Sequence, residues 1–164
     1  MIEKNALQKY SMFGGLTAEQ IEQMMSLISE VKFTPGEMIL TEGTPNERIL
    51  FILDGKVSVM KGDTVIYILS EGNSLGEMDV LDIMPSAASV KAETEVKMMV
   101  ISSRSLREIY RTDTKMFCLL LMNFARDLSR RLRIADDIMA GNKMFDAYTS
   151  RIFHKRPGKT ISTA

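Results

Sequence analysis

One stretch of the chain carries residues whose types and order suggest chemistry: Gly76-Glu77-Met78-Asp79-Val80-Leu81-Asp82-Ile83-Met84-Pro85-Ser86-Ala87-Ala88. A Gly-Glu pair that opens a short helix offers free backbone N–H groups and the positive end of a dipole, the parts from which an anion cradle is built. The cradle holds no cation of its own. From Gly62 to Val90 every ionised side chain is acidic: Asp63, Glu71, Glu77, Asp79 and Asp82. Glu77 itself reads in two ways, as the acceptor for a ligand hydroxyl or as a partner of the helix dipole worth about 0.3–1 kcal/mol. Met78, Val80, Leu81, Ile83 and Met84 either line an apolar pocket or fill it, a use that suits a chain with 14 methionines.

The other reactive side chains stand alone. Cys118 is the single cysteine and sits in MFCLLLM, which predicts a buried, inert thiol and excludes an intrachain disulfide or a cysteine-rich zinc site. His154 is the single histidine, so a histidine-rich metal centre cannot be assembled, which counts against a third reading, an enzyme on a cupin-like roll. The expectation is a non-catalytic protein. Lys plus Arg and Asp plus Glu each number 21, so no global field draws the chain to nucleic acid or to an anionic membrane. No apolar run approaches the roughly 18 residues of a membrane span. The start, MIEKNALQKYSMF, lacks the apolar core of a secretory signal, and a cytoplasmic location is expected.

The elements that must position these residues follow from periodicity. Residues 1–34 carry a helical pattern, sharpest at LTAEQI, where Thr17 and Gln20 form a capping box and Leu16 and Ile21 a hydrophobic staple. A helix is predicted from about Ala18 to Ser29, with Ile21, Met24, Met25, Leu27 and Ile28 facing a core. From Phe33 to about Ser103 the period changes to two, with strands at 49–53, 56–60, 65–69 and 95–101 separated by glycine turns. That pattern predicts a mainly β fold, an antiparallel jelly roll or double-stranded β-helix, with an N-terminal helix and a long C-terminal helix. A short helix begins at Ser105 and a long one runs from about Asp113 to Met139. In the long helix Leu121, Ala125, Leu128, Leu132, Ala135 and Met139 repeat every 4, 3, 4, 3 and 4 residues, a heptad seam suited to a homodimer. The reading divides the chain into a β-roll unit at 1–112, a dimerisation helix at 113–140 and a basic tail at 141–164, the last expected to be flexible.

In that order the pieces resemble the cyclic-nucleotide-binding domain family, as found in bacterial cyclic-AMP receptor proteins and kinase regulatory subunits. Three segments in register carry the resemblance: FTPGEMILTEGTPNERILFILDGKVSV at 33–59, LSEGNSLGEMDVL at 69–81 and PSAASVKAETEVKMMVIS at 85–102. The family binds its ligand in a cassette that begins Gly-Glu and ends Pro-Arg-Ser/Thr-Ala. The resemblance implies that Gly76 and Glu77 open the site, that Glu77 accepts from a ribose hydroxyl, and that cyclic AMP or cyclic GMP is the ligand class. Pro85 and Ala88 match the cassette's exit, whereas Ser86 stands at the arginine and Ala87 at the Ser/Thr. Losing a charge-assisted contact costs about 1.5–3 kcal/mol, roughly one to two decades of affinity.

The base-contacting Thr-Ser pair of the bacterial receptors falls on Ala135 and Asp136, a second departure. A cation from elsewhere, Arg48 or one of Arg126, Arg130, Arg131 and Arg133 on the long helix, is the candidate replacement beside Ser86. The expected function is a stand-alone sensor or regulatory module with weakened or altered cyclic-nucleotide binding, handing its output to a separate effector. The alternatives are a ligand-free interaction protein on the same fold and a cyclic-nucleotide binder with a recruited cation. About 25 residues follow Met139, too few for a helix-turn-helix domain, so no sequence-specific DNA binding is expected.

Overall fold

The computed structural model describes residues 7–140, so the basic tail at 141–164 and His154 lie outside the described residues. Helix α1 (Ala18–Met25) is followed by β1 (Ser29–Phe33), β2 (Met38–Leu40), β3 (Arg48–Asp54), β4 (Lys56–Lys61), β5 (Thr64–Ser70) and β6 (Ser74–Leu75). Helix α2 (Glu77–Asp82), β7 (Ser89–Ala92), β8 (Val96–Ser102), α3 (Ser103–Thr112) and α4 (Thr114–Met139) follow within the described residues. The strands form two antiparallel four-stranded sheets, ordered β1-β8-β3-β6 and β2-β7-β4-β5.

Strands β3 and β8 are buried on both faces, which is why ILFIL and VKMMVIS read as nearly unbroken apolar runs. Strand alternation divides their side chains between two cores. Ile49, Phe51, Met99 and Ile101 face the helices, packing with Phe13, Ile21, Met24, Leu106, Ile109, Leu120 and Phe124. Leu50, Ile52, Met98 and Val100 face the second sheet, with Val57, Val59, Leu69 and Val90. The helix-side core is what packs α3 and α4 against the sheet.

The helix boundaries are set by caps. Thr17 and Gln20 complete the capping box of α1. The helix stops at Met25, however, earlier than the predicted Ser29, because residues 29–33 pair with β8 in the register Ser29↔Val100 to Phe33↔Val96. Sheet pairing there overrides the helical pattern, and Leu27 and Ile28 reach the helix-side core from the connection. Ser102 caps α3, which therefore begins at Ser103, two residues before the expected start. Cys118 is exposed rather than buried: the inward face of α4 at this point is taken by Met116 and Leu120, and Cys118 falls on the opposite side of the turn.

Asp113 separates α3 from α4. Its Oδ1 accepts from Met116 N at 2.8 Å, and its Oδ2 accepts from the Gln20 side-chain amide of α1 at 2.7 Å. The bonds from Gln20, first, and from the backbone hold its carboxyl below the usual range. A depressed folded value means that the stabilisation is present above the unfolded carboxyl value of about 3.9 and is lost as pH falls through the folded value. Asp113→Ala should lower the melting temperature at pH 7, with the deficit shrinking in melts taken below about pH 4. A deficit independent of pH would argue against this role.

Candidate functional site

The predicted cassette folds as one loop against β3, and glycine geometry explains how. Gly76 has φ +76°, and a Cβ there would lie 2.5 Å from the Arg48 carbonyl and 2.6 Å from Asn46 Nδ2, both too close to tolerate. Only glycine admits this approach. The same Asn46 amide donates to the Arg48 carbonyl at 2.8 Å and to Asp79 Oδ2 at 3.0 Å. At the other end of α2, Ile83 adopts φ +58°, an unusual backbone for a β-branched residue.

The predicted residues separate into two groups. Glu77, Ser86 and Ala88 are covered, Glu77 at 1% and Ser86 at 3% exposure for buried residues. Ser86 Oγ donates to Asp79 Oδ2 at 2.7 Å, and Ala87 N donates more weakly to Asp79 Oδ1 at 3.4 Å. The apolar residues of the loop behave otherwise. Met78, Leu81, Ile83 and Met84 are at the surface, Ile83 at 88% exposure, so they do not fill an interior pocket; of the apolar loop residues Val80 turns toward the helix-side core. The short helix is covered on more than one side: Glu77 is buried toward Arg131, Asp79 toward Ser86 and Asn46, and Val80 packs on the helix-side core.

A cation does arrive from the long helix, at Glu77 rather than beside Ser86. Arg131 Nη1 donates to Glu77 Oε1 at 2.9 Å, and Nη2 donates to the Ser74 carbonyl at 2.6 Å and pairs with Asp127 Oδ2 at 2.7 Å. Of the other cations proposed for this place, Arg126 bonds Asn123 and Arg130 pairs with Asp127. Arg48 meets the site through its backbone, donating N–H to Asn46 Oδ1 and accepting at its carbonyl. A lysine outside the sequence expectation reaches the cassette: Lys61 Nζ donates to the Ala87 carbonyl at 2.7 Å while paired with Glu42 at 2.6 Å. Its position one residue before the acidic stretch was the available signal.

Burial and charge set the electrostatics. Desolvation pushes the Glu77 carboxyl up, Arg131 offsets this in part, and Asp127 and Asp79 add to the rise. Burial works to lower the Arg131 pKa, but Glu77, Asp127 and Tyr67 together raise it. The Arg131 guanidinium is shared by Glu77 and Asp127, and the more exposed Arg130 also pairs with Asp127, so the cluster balances two carboxylates with two guanidiniums. Glu77 Oε2 is buried with no hydrogen-bond partner, and an acceptor left so costs about 1–3 kcal/mol until a donor meets it. Among the described residues no group of three His, Cys, Asp or Glu is arranged to hold a metal. A polar cleft of about 410 Å³ lined by Glu47, Ser103, Arg104, Arg107, Glu108 and Arg111 includes none of the cassette.

The profile of the cyclic nucleotide-binding domain matches residues 30–113, just over half of the chain and the whole of the cassette. The chain belongs to the cyclic nucleotide-binding domain family. Among its relatives, a cAMP-dependent protein kinase regulatory subunit of Hypocrea atroviridis is 26% identical over 106 residues, 65% of this chain and 23% of that protein. A cGMP-dependent protein kinase of Caenorhabditis elegans is 25% identical over 138 residues, 82% of this chain and 17% of the kinase. The chain thus spans about a fifth of the length of these curated relatives. A cyclic nucleotide-binding domain from Methylobacillus flagellatus shares the fold with a TM-score of 0.77 at 24% identity, covering 86% of both chains. The catabolite activator protein of Thermus thermophilus matches with a TM-score of 0.68 at 24% identity, over 79% of this chain and 62% of that one. No helix among the described residues is long and apolar enough to cross a membrane.

The raised carboxyl of this cyclic nucleotide-binding domain gives a signed expectation. A folded value above the unfolded one contributes stability that is complete below the unfolded value, about 4.3, and is lost as pH rises through the folded value. Glu77→Gln removes that loss. The melting temperature of the variant should therefore gain on wild type as pH is raised from about 4 to 7. A difference that falls or stays level across this range would contradict the assignment.

Proposed function

We propose that the chain is a non-catalytic regulatory or sensor module whose ligand site is the Gly76–Ala88 cassette, with cyclic-nucleotide binding weakened or altered. The observation that carries the reading is the double engagement of Glu77. One oxygen is tethered to α4 through Arg131, and the other is a buried acceptor without a donor. A ligand hydroxyl at Oε2 would meet the open acceptor and redistribute charge in the cluster that also holds Arg131 and Asp127. Occupancy of the loop is thereby connected to the packing of α4 by one side chain. Cyclic AMP or cyclic GMP is the ligand class that the kinase relatives suggest, and Ser86 in place of an arginine is the reason for weakened affinity.

The output would be the long helix, read by a separate effector in the cytoplasm. Helix α4 carries two stripes. Met116, Leu120, Phe124 and Ile134 are buried on its own domain, while the adjacent stripe of Leu121, Ala125, Leu128, Leu132, Ala135 and Met139 is half-buried or exposed, Leu132 at 61%. An exposed heptad stripe beside a packed one supports a homodimer through Leu121, Leu128, Leu132 and Met139. On this reading residues 1–112 sense, 113–140 dimerise, and the loop at Glu77–Leu81 acts through α3 and the Asp113 hinge.

Calorimetric titration with cyclic AMP and cyclic GMP should give binding weaker than micromolar, abolished by Glu77→Ala. Micromolar saturation would refute the weakening, and heat unaffected by Glu77→Ala would refute the site. Replacing Leu128 and Leu132 together by Ala should halve the mass seen by light scattering at micromolar concentration. Unchanged mass would sink the interchain seam.

A further inference from the structure

We propose that the Asp79 carboxylate is the resident anion of the cassette: it takes the donors at residues 86 and 87 from within the chain and sets the site's specificity against cyclic phosphates. The inference rests on the ligand-site reading of the cassette above.

Asp79 is 5% exposed and points back across the loop rather than out of it. Its Oδ2 accepts from Ser86 Oγ at 2.7 Å and from Asn46 Nδ2 at 3.0 Å, and its Oδ1 faces Ala87 N at 3.4 Å. Ser86 and Ala87 are the two positions at which the family pattern places side-chain contacts to phosphate. Here a carboxylate with the single negative charge of a phosphodiester satisfies donors from both. The surroundings hold the arrangement closed. Gly43 N donates to the Ser86 carbonyl at 2.8 Å, and Ser86 N donates to the Thr44 carbonyl at 2.9 Å, so the 43–46 strap is pinned to the cassette exit. Asn46 can reach Asp79 only because Gly76 has no Cβ at the crossing.

Among the described residues the cation in contact with this end is Lys61, which spends its ammonium on Glu42 and the Ala87 carbonyl. A cyclic phosphate entering here therefore meets donors already in use and a like charge beside them, a combination that disfavours a second anion. An arginine placed at position 86 would find Asp79 before it found a ligand. The aspartate and the missing arginine thus act on one specificity, and each substitution has its effect only in the context of the other.

The test titrates cyclic AMP and cyclic GMP into the full chain as wild type, Ser86→Arg, Asp79→Asn and the double variant, with thermal melts of each. Wild type and Ser86→Arg should bind alike within about threefold. Asp79→Asn should tighten binding by about tenfold, and the double variant by at least a further tenfold as a charge-assisted contact forms. The proposal is overturned by Ser86→Arg gaining as much as the double variant, or by a cooperatively melting double variant that binds no tighter than wild type. Should Asp79→Asn not fold, Ser86→Arg carries the test alone: no gain supports the proposal, and a tenfold gain with Asp79 in place overturns it. Hydrogen exchange of α4 separates this outcome from that of the regulatory reading. Tightening in the variants with α4 unchanged at saturation would sustain Asp79 and sink the regulatory reading. Response of α4 at saturating cyclic nucleotide in wild type, with Asp79→Asn binding no tighter, would do the reverse.

Discussion

A single guanidinium answers two carboxylates at the junction of the loop and the long helix. Arg131 holds Glu77 on one side and Asp127 on the other, with the Ser74 carbonyl at the third corner. Charges taken out of water are tolerable only when paired in good geometry, and removing one partner of a buried pair typically costs about 3–5 kcal/mol. Helix α4 is therefore not free to slide along the sheet: a displacement of one turn would leave Glu77 covered and unpaired. Burial raises the Glu77 carboxyl even with an arginine beside it, and the negative charges of Asp127 and Asp79 add to the rise.

The loop that begins at Glu77 is fixed at its far end by a different chemistry. Gly76 allows Asn46 to cross the chain, Asn46 reaches Asp79, and Asp79 gathers Ser86 and the Ala87 N–H. One end of the cassette is left with an open acceptor at Glu77 Oε2, and the other has its donors met by a carboxylate. Glu77 and Asp79, two residues apart on a short helix, point to different sides of it, which is why they meet different partners. Met78 and Leu81 are the exposed apolar residues of this helix, and Ile83 and Met84 are exposed in the turn after it.

Much of the fold was legible from local pattern. The Thr17–Gln20 capping box, the strands at 48–54, 56–61, 64–70 and 96–102, and the long helix all depend on residues within a few positions of one another. Strand β1 was not legible, because its conformation comes from pairing with β8 some seventy residues later, against a local helical pattern. Cys118 was misjudged for a related reason. An apolar neighbourhood in sequence says that a helix has a buried face, and the packing of α4 on the sheet determines which residues occupy it.

The candidate site divides along the same line. Residue types alone determined that no acid-neutralising cation lies within the loop, and the family resemblance added the expectation that Gly76 and Glu77 open a cassette from whose pattern Ser86 and Ala87 depart. Only the tertiary structure decided that Arg131 meets Glu77 across 54 residues, that Asn46 meets Asp79 across 33, and that Lys61 reaches Ala87 from the neighbouring strand. The physical reason is the reach of each interaction. Caps, turns and strand alternation act over a few residues and leave a mark in the text, whereas a buried charge is answered by whichever side chain the packing brings within about 3 Å, and sequence separation carries no record of that distance.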